Sequence, residues 1–110
     1  MRTNYIQEGK NLEYQNKTEV AIAAGDIVVM GSVVGVAGTD IAVNATGSVH
    51  VVGVFEVLKE EGLEIGQGEK VYWNANGGVI TKTSASNTLA GYAAYPAKTT
   101  DVTVKVKLVG

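Results

Sequence analysis

The closing run "VTVKVKLV" (102–109) sets the strongest limit on what this chain can fold into. Val102, Val104, Val106 and Leu108 alternate with Thr103, Lys105 and Lys107, the period of a β-strand with one dry face and one wet face. No helical pattern competes with it. Only "LKEEGLEIG" (58–66) offers helical spacing, and Gly62 in its middle costs about 1 kcal/mol relative to Ala, so it reads as a loop with at most one helical turn.

The remaining apolar runs are short, Val-rich and punctuated by turn residues. "GDIVVM" and "SVVGVAG" form a close pair across Gly31-Ser32. "VHVVGVFEVL" (49–58) reads as one strand: Val49, Val51, Phe55 and Val57 mark one face, and His50, Val52, Val54, Glu56 and Leu58 leave the other mostly apolar, as in a strand covered on both sides. "KVYW", "NANGG" and "VITKT" give strand, turn and strand, because Asn and Gly tolerate positive φ where a chain reverses. "LAGYAAY" supplies another strand, and the single Pro96 falls in the linker before the last one. Short strands at this spacing, with 14 glycines between and within them, predict an all-β fold, a compact β-sandwich or small β-barrel of short antiparallel strands with little helix. Faint internal echoes, "AGDIVVM" before "GVAG" and "QGEKVYW" before "GYAA", are short enough to recur by chance.

At 110 residues there is room for one core, so residues 1–110 read as a single domain, with 1–12 as an arm or edge strand. With 45% hydrophobic and 18% charged residues the chain can offset its ordering entropy and fold. Nine Lys and Arg against eleven Asp and Glu give a net charge of -2, without the basic excess that binding a phosphate backbone requires. Nucleic acid is therefore not an expected partner. The absence of Cys excludes a disulfide scaffold and a thiolate metal site. Met1 to Leu12 is polar, without the apolar core of a signal peptide, and "IVVMGSVVGVAG" is too short and Gly-broken to span a membrane. The expectation is a soluble protein made in the cytoplasm, with no membrane partner.

Catalytic chemistry finds little to work with. Cys nucleophiles are excluded, and a Ser-His-acid triad would have to use His50, the only histidine, which sits in a Val-rich strand and reads as a packed or interface side chain. Glu60, Glu61 and Glu64 lack the spaced oxygen ligands of a calcium loop and read as solvated charges. Neither "GSVVGVAG" nor "GQGEKV" matches a nucleotide-binding glycine pattern, so no cofactor, metal or catalytic residue is expected. Tyr72 and Trp73 are adjacent in a strand and point to opposite faces, so at most one can serve as a stacking platform. One ring is expected to cap the core and the other to lie at a rim or interface.

Taken in order, "NYIQEG", "AGDIVVMGSVVGVAG", "VVGVFEVLKEEGLEIGQGEKVYWN" and "NTLAGYA" before the closing "VTVKVKL" resemble the phage and prophage capsid cement, or head decoration, proteins. The most specific portion is "GVFEVLK" followed by "GQGEKVYW". Members have in places been labelled RecA-like recombinases, and no Walker A lysine stands here to support that label. The resemblance implies a non-enzymatic structural protein that binds the outside of an assembled head as a symmetric oligomer and reinforces it. Its implied partners are the major capsid protein and further copies of itself, a homotrimer ahead of a homodimer, and its place is the virion exterior after synthesis in the host cytoplasm.

On that reading Asn4, Tyr5, Ile6 and Gln7 are the expected capsid contacts, since an extended arm can add to a sheet edge. Val52, Val54 and Leu58 are the expected subunit interface, and Tyr72 and Trp73 the structural aromatics. The alternative is a carbohydrate-binding or adhesive β-module on a phage surface, with Trp73 as its platform.

Overall fold

The computed structural model describes residues 11–108. Among them there are nine strands and no helix: β1 (Asn11–Gln15), β2 (Ile27–Met30), β3 (Val33–Ala37), β4 (Thr46–His50), β5 (Val54–Leu58), β6 (Lys70–Asn74), β7 (Val79–Thr81), β8 (Thr88–Ala93) and β9 (Thr103–Leu108). They form two antiparallel sheets, ordered β1-β4-β3-β2 and β5-β9-β8-β6-β7.

The five-stranded sheet curls until its two edge strands meet. Lys59, just past β5, bridges Ile80 of β7, and the Glu60 N–H donates to the Ile80 carbonyl at 2.8 Å. This seam is closed only at that end. The inward residues of β9, Val104, Val106 and Leu108, are buried with Val71, Ile80, Ala90 and Ala93, as the alternation predicts, whereas Val102, expected on the same dry face, precedes the strand and is 70% exposed. Val34 and Val36 of the four-stranded sheet join the same core, and a smaller cluster of Val28, Ala37, Ile41 and Val49 lies on that sheet's other side.

The hairpins follow from their turn residues. Gly31, at φ +63, turns β2 into β3. Between β6 and β7 the Asn74 side chain accepts the Asn76 and Gly77 N–H groups at 3.1 and 3.2 Å, and Gly78 returns the chain at φ +66.

The run 49–58 departs from the expected single strand covered on both sides. It breaks at Gly53, whose φ of +133 suits glycine, so that residues up to His50 belong to one sheet and those from Val54 to the other. The expected faces are only partly kept across the break: Val52, Val54 and Leu58 are exposed, but Val49 is buried in the smaller cluster while Phe55 and Val57 pack against the main core, and His50, expected on the opposite face from Phe55, lies beside it. Past the break only one side of the run is covered, since Val54, Glu56 and Leu58 are exposed.

Candidate functional site

Where the two sheets part, they leave a cleft of about 710 Å³. One wall is a row of paired residues across the four-stranded sheet, Ile27 beside Val36 beside His50, with Asn11 of β1 next in the row. The facing wall is Phe55 and Val57 of β5 and Trp73 of β6. The His50 and Phe55 rings lie 6.0 Å apart across the break in the chain. The floor is therefore apolar and aromatic. Asp26 and Glu56, both exposed, supply carboxylates at the rim, and no lysine or arginine is among the described lining residues.

The seam gives this cleft its other property. Lys59 N–H donates to the Val102 carbonyl and Leu108 N–H to the Gly53 carbonyl, which fixes residues 53, 55, 57 and 59 as those bonded to β9. The N–H and C=O groups of Val54, Glu56 and Leu58 consequently point away from β9, toward the seam; the Leu58 carbonyl takes part in the parallel bridge to Ile80, and Val54 and Glu56 pair with no other strand of the described residues.

Outside the barrel, Val54 is 51% and Leu58 53% exposed, and Val52 follows at 38%. These three residues thus stand clear of the core on one side of the chain. Beyond them the cross-strand row Val54, Lys107, Tyr92, Lys70 runs over the outer face, and Lys105 lies 5.2 Å from the centre of the Tyr95 ring. Glu56 and Lys105 are cross-strand neighbours. The face mixes apolar, aromatic and cationic groups.

Asn4, Tyr5, Ile6 and Gln7 lie outside the described residues; Asn11 and Leu12, the end of the 1–12 segment, are in β1, an edge strand. Tyr72 and Trp73 are both half-buried: Trp73 packs against the main core beside Ile80, and Tyr72 faces the other way, between Thr81 and Leu89. Glu60, Glu61 and Glu64 are exposed, and no cluster of three or more His, Asp or Glu that could hold a metal ion occurs among the described residues. Three polar residues that the sequence did not single out are buried, Thr81 of β7 among them. Lys59 continues the inward alternation of Phe55 and Val57 and donates to the Glu60 carbonyl at 3.2 Å, and Asn16 is fully buried in a hydrogen-bonded loop junction.

Because the Trp73 indole is shared between core and cleft, Trp73→Ala should cost about 2 kcal/mol, less than for a fully enclosed ring. Urea denaturation of the variant against wild type measures it; an unchanged midpoint would mean the ring does not contribute to the core.

Residues 6–108 match the family model described as phage cement protein. The chain belongs to that family. Membership gives this cement-family protein a structural role in a phage and associates it with the capsid. No curated protein and no solved structure matches it. The recombinase label finds no counterpart in the family match, which spans nearly the whole chain under a structural description.

Proposed function

We propose that this protein binds the outer surface of the assembled phage head and stabilises it. The family match over residues 6–108 carries the reading. A protein with this task needs a rigid scaffold, apolar surface for its contacts and backbone edges that can pair with a partner sheet, and it needs no catalytic group. The protein acts as a homo-oligomer, a trimer in preference to a dimer, with exposed Val52, Val54 and Leu58 at the contact between copies. Asn4 to Gln7 supply part of the contact to the major capsid protein, with Tyr5 and Ile6 as anchors. Synthesis takes place in the host cytoplasm and the final location is the head exterior.

The test is co-sedimentation with undecorated mature shells of the phage that encodes the chain. Full-length protein should pellet with the shells, and protein lacking residues 1–8 should remain folded and bind at least about tenfold more weakly, the loss expected for a few main-chain hydrogen bonds and an anchor. Equal binding by the truncated form would remove the arm from the contact. Failure of the full-length form to bind would remove the cement reading.

One observation favours a second reading, a carbohydrate-binding or adhesive module: Trp73 lines a cleft with carboxylates at its rim. Binding on a glycan array that is abolished by Trp73→Ala would support it.

A further inference from the structure

We infer that the open seam of the barrel is a strand acceptor for the shell: an extended segment of the capsid protein adds to the exposed edge of β5, with an apolar side chain in the cleft and a flanking lysine or arginine at its rim. The inference rests on the cement reading and names the surface and the partner chemistry.

Three observations converge on it. First, Val54 and Glu56 present their N–H and C=O groups away from β9 with no strand of the described residues beside them, and β7 meets this side of the chain only at its far end, in the bridge around Leu58, Lys59 and Glu60. An unpaired edge of this kind is completed by another extended chain, whose main-chain hydrogen bonds are independent of its sequence. Second, the edge borders the cleft walled by Ile27, Val36, Phe55, Val57 and Trp73. An added strand places alternate side chains on opposite faces, so one set enters this apolar space and the other lies beside exposed Val54 and Leu58. Third, the described charged lining residues are Asp26 and Glu56, without a lysine or arginine, which favours a segment with a basic residue next to its apolar anchor. The same carboxylate disfavours the symmetric alternative. Two copies joined edge to edge through β5, centred on Glu56, would set the two Glu56 side chains opposite each other, where like charges repel.

Glu56→Pro is the decisive variant. It removes an N–H that faces the seam and leaves the bonds of residues 53, 55, 57 and 59 to β9 in place. Glu56→Lys keeps the N–H and reverses the charge. With undecorated shells, wild type should pellet; Glu56→Pro, shown folded by circular dichroism and a melting temperature close to wild type, should bind at least about tenfold more weakly. Glu56→Lys should bind weakly at low salt and approach wild type as salt rises. If Glu56→Pro does not fold, the salt-dependent loss in Glu56→Lys decides.

Folded Glu56→Pro that binds like wild type overturns the strand acceptor and leaves the cement reading standing, whereas wild type that fails to bind takes the cement reading with it. A third result would place this chain's own N-terminal segment in the cleft and also overturn the proposal. Trp73 is the only tryptophan, so its emission in free protein reports what covers it. Deleting residues 1–8 should leave that emission unchanged, and a shift to longer wavelength would show that the segment had occupied the site.

Discussion

Gly91→Ala should destabilise the protein by about 3 to 5 kcal/mol, a large part of the roughly 5–15 kcal/mol that separates folded from unfolded in a domain of this size. Gly91 sits in β8 between β6 and β9, opposite Val71 and Leu108, at the point where the β6–β8 register shifts. Its φ is +155, and a β-carbon there would fall within the Lys107 carbonyl of β9. Neither strand can move aside, since Val71 and Leu108 are both buried in the main core. The backbone geometry and the lack of space therefore act together. Gly62→Ala makes the control: its φ is +74, but nothing lies within 4 Å of the added carbon, so only the left-handed backbone term of about 1–2 kcal/mol applies. Denaturant unfolding of both variants should give a far larger shift for Gly91→Ala. Equal midpoints would show that β8 and β9 can separate without loss of the core.

The second large effect is expected at Asn16. Its amide donates to the Val20 and Ile41 carbonyls at 2.9 and 3.1 Å, and its side-chain oxygen accepts the Thr18 N–H at 3.0 Å and the Thr18 hydroxyl at 2.6 Å. Its own N–H donates to the Ala45 carbonyl, and its carbonyl accepts the Asn44 N–H. One fully buried side chain thus ties the segment after β1 to the loop before β4. Asn16→Ala leaves buried donors and acceptors without partners and should cost about 3 kcal/mol.

Asn16→Asp keeps the shape and removes the two donors, so a carboxylate would face two carbonyl oxygens in a buried site. Burial and that repulsion raise the introduced carboxyl's pKa above its unfolded value. The loss relative to wild type is then smallest below the unfolded value of about 4 and grows as pH rises through the folded one. Melting both proteins from pH 4 to pH 8 checks the sign. A variant that gains on wild type as pH rises would contradict the assignment of the amide.

The all-β architecture was legible because the faces of strands are written locally. In β9 the period-2 alternation names its buried residues one by one, and the turn residues at Gly31 and 74–78 mark two hairpins. β1 was harder to see: "NLEYQ" is polar because it is an edge strand with only Tyr14 half-buried. In 49–58 the alternation named the exposed Val52, Val54 and Leu58 and missed the change of sheet at Gly53, which leaves Val49 in the smaller cluster and brings His50 to the side of Phe55.

The candidate site was legible only in part. Exposed Val52, Val54 and Leu58 follow from alternation around the glycine. The cleft and its open edge do not, because they depend on β5 pairing with β9 on one side and meeting β7 only at its end, around Leu58, Lys59 and Glu60. Buried Lys59 and Asn16 escaped for the same reason. Their partners across the fold, Ile80 and Ile41, are distant in sequence, and isolated polar residues in a sequence carry no sign of such closure.

A bound cement protein should raise the heat resistance of the filled head. Undecorated, DNA-filled heads are heated in steps with and without saturating protein, and the DNA released is followed by nuclease sensitivity. At 100 times its dissociation constant a ligand confined to the intact state stabilises it by about 2.7 kcal/mol per site. Decorated heads should therefore retain DNA at temperatures where bare heads lose it, with the bound protein on the outer surface in electron micrographs. Release at the same temperature with the protein bound, or protein found anywhere but on the head exterior, would contradict the account.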